Sequence, residues 1–216
     1  YGGEHEALFL GKYFEPHRAE ADDLDVLENV LALALSKVTV PAPSAPLSNE
    51  LQVKACGFEH VEAMSCLYRE VFASYPFPID DPAYLRETMA SQVDYYGVFN
   101  ADTLVALASA EVDFDGANVE MTDFATDPAY QGAGLACHLL GIMQAAMAQK
   151  GMQTAYTIAR AASPGMNIVF ARMGYRFSGR LVNNTQIAGK IESMNVWHKR
   201  ISECPATSAL PRATSR

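Results

Sequence analysis

The sequence predicts a mixed α/β fold, of the α+β kind, whose central sheet is mostly antiparallel. Alternating apolar and polar residues predict three consecutive strands, at about 94 to 99, 104 to 113 and 118 to 126. Short polar turns join them, and strands joined in this way pair as an antiparallel meander. A helical pattern follows over about 133 to 149 and ends at Lys150 and Gly151, a cation and a glycine that suit a helix end.

The elements on either side extend this pattern. Upstream, the apolar spacing predicts a strand-like segment over 7 to 14, an amphipathic helix over 20 to 38, a strand over 51 to 55, and helices over about 58 to 74 and 82 to 91. Downstream, it predicts a strand over 153 to 160, a short helix over 165 to 173 and two closing strands. The middle of the chain is therefore a strand, a loop and a helix.

The chain of 216 residues has room for one domain of about 150 residues and an appendage. Three prolines within residues 41 to 46 predict a linker, because proline cannot continue a helix. Since the chain begins at Tyr1 rather than at methionine, we expect an amino-terminal region truncated before it. The predicted division is the end of that region at 1 to 20, a helix and linker at 21 to 49, the main domain at 50 to 200 and a disordered tail at 201 to 216.

Composition excludes several classes of protein. Half of the residues are hydrophobic and 19% are charged, a balance typical of globular proteins. The four cysteines and five histidines have neither the spacing of a zinc site nor that of a disulfide framework, so we expect no metal and a reducing, cytoplasmic setting. The longest apolar stretch is broken by polar residues and is shorter than the ~20 residues of a membrane span, and no signal peptide is visible.

The charge distribution points away from nucleic acid and towards small ligands. A formal net charge of -9 argues against binding to a phosphate backbone. Between Arg86 and Lys150 there are nine acids and no cation, whereas Lys150 to Arg200 holds eight cations and the single acid Glu192. A polarised domain suits an anionic cofactor on one side and a cationic substrate on the other. Solvated surface charge without a partner is the alternative.

The loop Gln131-Gly132-Ala133-Gly134-Leu135-Ala136 joins a predicted strand to a predicted helix. Its small residues let the backbone come close to a ligand, and the first amides of a helix have no partners within it. These amides and the helix dipole, roughly +0.5 charge at the helix start, favour a pyrophosphate. Taken alone, the loop could equally be a plain strand-to-helix turn.

With its flanks, the segment Asp127-Pro128-x-Tyr130-Gln131-x-x-Gly134-x-Ala136 resembles the cofactor signature of the GNAT acetyltransferase superfamily. The resemblance, which spans about 51 to 200, implies helices on both faces of the sheet and a splayed strand pair that holds acetyl-CoA. It implies that the pantetheine arm lies along Phe124, Ala125 and Thr126, with Asn167 beside it. The diphosphate would lie on Gln131, Gly132, Ala133, Gly134, Leu135 and Ala136.

A narrower resemblance rests on four longer matches. Residues 120 to 126 (Glu-Met-Thr-Asp-Phe-Ala-Thr), 154 to 161, 183 to 189 and 191 to 197 are similar to the β-lysine N-acetyltransferase family. This resemblance implies transfer of acetyl to the side-chain amine of β-lysine, giving Nε-acetyl-β-lysine, a compatible solute. Another small amine or amino acid, a CoA-binding regulatory module without turnover and, less favoured, a protein substrate remain alternatives. A homodimer is also left open.

A base or a desolvating pocket is needed because a lysine-like ammonium, with a pKa near ~10.4, costs about 4.6 kcal/mol to deprotonate at pH 7. Strand alternation predicts that Glu120, Thr122, Phe124 and Thr126 share one face, with Met121, Asp123 and Ala125 on the other. Glu120 stands eleven residues before Gln131, where several GNAT enzymes carry their base. We therefore predict Glu120 as base, directly or through water, with Asp123 the alternative. Ammonium binding or a structural hydrogen bond are the other roles for these acids.

The remaining site residues follow from the substrate and the leaving group. Many GNAT proteins have a tyrosine acid where this chain has Phe170, so Tyr175 and Tyr156 are the nearest candidates, and water is the alternative. Arg160 is predicted to bind the substrate carboxylate, with a surface ion pair or a contact to the 3'-phosphate as the alternatives. A polar wall is expected from Asn183, Asn184, Glu192 and Asn195. Because the loop lacks the cations of many relatives, weaker CoA affinity is also expected.

Overall fold

The computed structural model describes residues 8–21, 23–39 and 47–201. Its strands are β1 (Leu51–Ala55), β2 (Val93–Asn100), β3 (Thr103–Asp113), β4 (Asn118–Thr126), β5 (Thr154–Arg160), β6 (Arg176–Ile187) and β7 (Lys190–Arg200). Its helices are α1 (Leu24–Leu35), α2 (Val61–Val71), α3 (Pro82–Met89), α4 (Leu135–Gln149) and α5 (Pro164–Arg172). Short 3-10 turns occupy Pro16–Ala19, Phe58–His60 and Pro128–Tyr130. The linker expected over 41 to 46 and the tail beyond residue 201 lie outside the described residues.

All seven strands form one sheet, in the order β1-β2-β3-β4-β5-β7-β6. Neighbouring strands are antiparallel, apart from the parallel pair β4 and β5. That parallel pair is joined over three residues only, Asn118 to Glu120 against Thr154 to Tyr156. The predicted mixed, mostly antiparallel sheet with a splayed pair is thus confirmed.

Helices cover both faces of the sheet, as predicted. One core joins α4 and α5 to the inner residues of β3, β4 and β7, and the other joins α2 and α3 to β2 and β3. Helix α1 packs on α5, and its Leu31 and Ala34 belong to the first of these cores. The helix predicted before the linker is therefore part of the main core. None of the helices within the described ranges has the length and apolar character needed to cross a membrane.

The strand predicted over 7 to 14 is wrong for the part of it that is described. Residues 8 to 13 have no strand pairing, and the side chains of Leu8 and Leu10 are 80% and 90% exposed. The neighbouring sheet edge, β6, bulges around Asn183, whose φ is 44°, so it offers no regular ladder. Side chains hold the segment instead: the Tyr13 hydroxyl donates to the carbonyl of Val182 at 2.7 Å.

Candidate active site

A cleft opens where β4 and β5 stop pairing. Beyond Glu120 and Tyr156 the two strands diverge, and the space between them encloses about 170 Å³. Its apolar wall consists of Phe72, Phe124, Ile158, Ala159, Met166, Phe170, Ile187 and Met194. Its polar wall consists of Tyr75, Thr122, Asp123, Thr157, Arg160 and Ser163. The splay thus creates a mostly apolar site with a few converging polar groups, the usual composition of a ligand site.

A β-bulge at Asp123 decides which side chains of β4 face which core. The register passes from Ser109 paired with Thr122 to Leu107 paired with Ala125, so β4 carries one extra residue, and Asp123 has φ 54°. Strict alternation predicted Met121 and Phe124 on opposite faces. They pack against the same core instead, while Ala125 joins the other core. The predicted grouping of the strand's faces was therefore wrong beyond Thr122, because one extra residue reverses the alternation.

The bulge places the Asp123 carboxylate against three hydroxyl groups. Tyr75 donates to it at 2.5 Å, Ser109 at 2.6 Å and Thr122 at 3.4 Å. Asp123 is 9% exposed, and burial raises its pKa although the three hydroxyls oppose that shift. Tyr75 was not predicted from the sequence, because it lies on the loop between α2 and α3, outside every motif. The result is a carboxylate in the cleft wall that can accept hydrogen bonds from a cation.

Glu120 lies at the fork of the splayed strands. Tyr156 on β5 and the backbone amide of Ile158, just past the last paired residue, both hydrogen-bond to its carboxylate. Burial, and then the negative charges of Glu111 and Asp123, raise the pKa of Glu120 to about 7. A carboxylate with this pKa is about half ionised at neutral pH, which suits a general base.

The loop before α4 fits a diphosphate. Gly132 and Gly134 have φ of 82° and 76°, the left-handed region that glycine tolerates best. Among the described residues, no acceptor binds the amides of Leu135 and Ala136 at the start of α4. Leu135 is 2% exposed and anchors this helix start in the core, while a Cβ on Gly132 would meet no atom within 4 Å. The backbone therefore offers open, preset N–H groups to an anion.

Two other loop residues have backbone amides that already take part in hydrogen bonds. The amides of Gln131 and Ala133 make long hydrogen bonds of 3.4 Å within the loop, to the carbonyls of Pro128 and Tyr130. Their side chains are exposed and uncharged, so no cation reaches the loop from these positions. Upstream, the β4 edge from Phe124 to Thr126 has no strand partner on its β5 side within the described chain.

Two residues predicted for the site lie in the core instead. Tyr175 is 2% exposed, packs edge-on against Phe170 and is bonded through its hydroxyl to Gln144 at 3.3 Å, so it is outside the cleft wall. The side chain of Asn167 is fully buried and uses both of its amide atoms within the protein. It donates to the carbonyls of Arg160 and Ser163 and accepts from Asn195 and Trp197, all at 2.7 to 2.9 Å. Neither position supports the acid or pantetheine role expected from the sequence.

Of the five residues predicted to bind substrate, only Arg160 lines the cleft. Its Nε and Nη2 donate to both carboxylate oxygens of Glu192, at 2.8 and 2.7 Å, and the side chain of Glu192 is 2% exposed. Asn195 is buried between Arg180 and Asn167. The other two lie on β6: the side-chain amide of Asn183 donates to the carbonyls of Arg18 and Glu20, and the side-chain amide of Asn184 donates to the hydroxyl of Thr185. The expected polar wall is therefore largely a structural network behind the cleft.

Comparisons with known proteins agree with this geometry. A profile of the acetyltransferase (GNAT) family matches residues 61–175. The chain is 40% identical over 199 residues to the β-lysine N(6)-acetyltransferase of Methanococcus maripaludis, which covers 92% of this chain and 72% of that protein. It is 32% identical over 198 residues to the N-acetyltransferase YodP of Bacillus subtilis, covering 91% and 71%.

A solved structure has the same fold. The ribosomal-protein-S18-alanine N-acetyltransferase from Escherichia coli superposes with a TM-score of 0.62 at 14% identity, over 74% of this chain and 99% of that one. At this identity the likeness concerns the fold alone. The resemblances inferred from the sequence motifs are confirmed by the family match and by the curated relatives. The chain therefore belongs to the GNAT family of acetyltransferases.

Proposed function

We propose that this chain moves an acetyl group from acetyl-CoA to the side-chain amine of β-lysine, giving Nε-acetyl-β-lysine. Acetyltransferases of the GNAT family use acetyl-CoA, whose thioester carbonyl is activated towards an amine. The relative from Methanococcus maripaludis, 40% identical over 92% of this chain, is named for this substrate. The proposal rests on that relationship and on the chemistry of the cleft.

One observation in the cleft carries the choice of substrate. The carboxylate of Asp123 and the guanidinium of Arg160 line the same cavity, with apolar side chains such as Ile187 and Met194 beside them. β-Lysine has an ammonium group at one end, a carboxylate at the other and methylene groups between. A cavity with an acid, a cation and apolar walls matches that distribution of charge.

In this proposal Asp123 and Tyr75 hold the reacting ammonium group, and Glu120 receives its proton through water. Nε and Nη2 of Arg160 each donate a hydrogen bond to Glu192. The substrate carboxylate therefore binds the N–H groups of the guanidinium that do not donate to Glu192. The diphosphate of acetyl-CoA binds the open amides at the start of α4, and the pantetheine arm runs along the unpaired β4 edge.

A panel of acceptors tests the substrate. Release of the CoA thiol is measured with β-lysine, lysine, ornithine, a histone-tail peptide and 1,5-diaminopentane, a diamine without a carboxylate. We expect the highest kcat/KM for β-lysine and a higher KM for 1,5-diaminopentane, because Arg160 has no carboxylate to bind. Turnover on the peptide alone would contradict the proposal. Turnover on another small amine alone would replace the substrate, and no turnover at all would favour a CoA-binding module.

The loop leads to a prediction about CoA itself. In this proposal backbone amides hold the diphosphate, and neither Gln131 nor Ala133 supplies a cation. We therefore expect a Kd for CoA above about 1 μM by calorimetric titration. The loss of affinity relative to a loop with a cation should be on the order of one charge-assisted hydrogen bond. Ala133→Arg should then tighten binding about tenfold, with a gain that fades in high salt. Submicromolar binding by the unaltered chain, or no gain from Ala133→Arg, would show that other groups hold the diphosphate.

A further inference from the structure

Glu111 belongs to none of the sequence motifs, and it lies directly opposite Glu120. The two residues pair across the antiparallel strands β3 and β4. Side chains of directly opposed residues lie on the same face of a sheet, with Cβ atoms about 4.5 to 5.5 Å apart. Like charges in that position destabilise a sheet, so a pair of glutamates at the fork of the splay has a cost that a structural role does not explain.

The two carboxylates differ in their access to water. Glu111 is exposed at the surface of β3, whereas Glu120 is partly buried at the fork of β4 and β5 and does not line the cleft. The carboxylate of Glu120 is bonded to Tyr156 and to the amide of Ile158. The two adjacent carboxylates therefore lead from the partly buried fork of β4 and β5 to solvent. On the other side of Glu120, along β4, Asp123 enters the cleft.

The titratable groups around Glu111 and Glu120 come from four strands, β2 to β5, from α3 and from the loop between α2 and α3. Glu120 is faced by Glu111 from β3, Asp123 from β4, Tyr156 from β5 and Tyr75 from the α2–α3 loop. Tyr84 of α3 and Tyr95 of β2 face Glu111 and Asp123. The charged members of this group are all acids, so each ionised carboxylate favours a proton on its neighbour.

We propose that Glu111 and Glu120 work as a carboxylate pair in which Glu111 tunes the base and carries its proton to solvent. This inference rests on the proposed role of Glu120 as base. The acceptor ammonium gives one proton to the Glu120 carboxylate through water, Glu120 passes that proton to the Glu111 carboxylate, and Glu111 releases it to bulk water. The amine is left neutral for attack, and both carboxylates return to their starting state. Glu111 touches neither substrate nor acetyl-CoA and is thus a positioning residue.

Partial burial and the charge of Asp123 raise the pKa of Glu111. Of the two charges that raise the pKa of Glu120, that of Glu111 has the larger effect and that of Asp123 the smaller. Removing the charge at position 111 should therefore leave Glu120 a weaker base that ionises at lower pH. A substitution that harmed only the packing of β3 would lower the rate without moving the pH at which activity appears.

The experiment compares pH profiles of kcat/KM for Glu111→Gln and Glu111→Asp. We expect Glu111→Gln to move the acidic limb to lower pH by about one unit and to lower the plateau several-fold. Glu111→Asp keeps the charge and should keep the limb in place. Glu87→Gln is the matched control, because Glu87 is an exposed glutamate on the same acidic surface, and its profile should not change.

A second readout does not depend on turnover. Carboxyl ¹³C NMR titration of the free protein, with the signal of Glu120 assigned by its loss in Glu120→Gln, should show a midpoint that falls in Glu111→Gln. An unchanged limb and midpoint in Glu111→Gln, while Glu120→Gln still abolishes the pH-dependent activity, would overturn the pair and leave the base role intact. If Glu120→Gln itself leaves rate and limb unchanged, the base assignment fails instead.

Discussion

Glu120→Gln is expected to lower kcat/KM for acetyl transfer by about 10²- to 10⁴-fold, the usual contribution of a general base. In the unaltered chain, kcat/KM should rise with pH through about 7, because Glu120 accepts a proton only when it is ionised and its pKa is raised to about 7. Glutamine has nearly the same shape and cannot titrate, so this acidic limb should disappear. The measurement is CoA-thiol release with β-lysine between about pH 5.5 and 9.

Asp123→Asn separates the two acids. If Asp123 binds the ammonium group while Glu120 takes the proton, Asp123→Asn should raise KM for the amine and retain an acidic limb. That limb should lie at lower pH, because the charge of Asp123 also raises the pKa of Glu120. If Asp123 is the base, the limb should vanish in Asp123→Asn and persist in Glu120→Gln. The second pattern would exchange the two roles.

The same Glu120→Gln variant should be more stable than the unaltered chain at pH 8. Burial raises the folded-state pKa of Glu120 above its ordinary value of 4.5, so the folded state holds this proton more tightly than the unfolded state. The stability linked to that proton is fully present below about pH 4.5 and is lost as pH rises to about 7. Glutamine escapes this loss, and we expect a gain of about 1 to 3 kcal/mol in unfolding free energy at pH 8 and little at pH 4.5. Equal effects at both pH values would contradict the raised pKa.

Asn167→Ala is expected to cost about 3 to 5 kcal/mol of unfolding free energy, the largest loss of stability predicted for this chain. The side chain of Asn167 is fully buried, and it joins the start of α5 to β7. Its removal leaves the donors of Asn195 and Trp197 buried without their acceptor. The carbonyls of Arg160 and Ser163 each lose one donor as well, although the carbonyl of Arg160 keeps the amide of Ser163. Each such group costs about 1 to 3 kcal/mol when it loses its partner.

Urea unfolding measures this loss through fluorescence, because Trp197 is the single tryptophan of the chain and is itself a partner of Asn167. Asn184→Ala is the matched control: Asn184 is exposed, and within the described ranges its side chain bonds only its neighbour Thr185. The substitution should change stability by less than about 0.5 kcal/mol. A cost below about 1 kcal/mol for Asn167→Ala, with weakened CoA binding, would favour the cofactor contact expected from the sequence.

Local signals were enough for much of the fold. The strands β2, β3 and β4 and the helix α4 were predicted within a few residues, because their apolar periodicity is long and their turns are short. The prediction of a strand near the N-terminus was wrong because a strand needs a regular edge to pair with. The bulge at Asn183 interrupts that edge on β6. Alternation by itself carries no information about such an edge.

The roles of side chains were harder to predict, because one extra residue in a strand reverses the face of every residue that follows it. The bulge at Asp123 exchanges the two faces of β4 beyond Thr122. Tyr75, on a loop distant in sequence, lies in the cleft and hydrogen-bonds Asp123. Arg160 was predicted for a substrate and also has a buried partner, Glu192, thirty-two residues away along the chain. Contacts of this kind depend on strand order and register, which the sequence pattern does not contain.

The sequence by itself determined the family and the class of reaction, because the motifs that identify them are short and local. It also determined the form of the loop before α4, because glycines at positive φ and a helix start are local features. Only the tertiary structure decided where β4 and β5 part and that Asp123 lines the cleft. It also decided that Glu111 faces Glu120 and that Asn167 belongs to the core. These outcomes arise from strand register, one extra residue in a bulge and burial, and each of them depends on residues far apart in the chain.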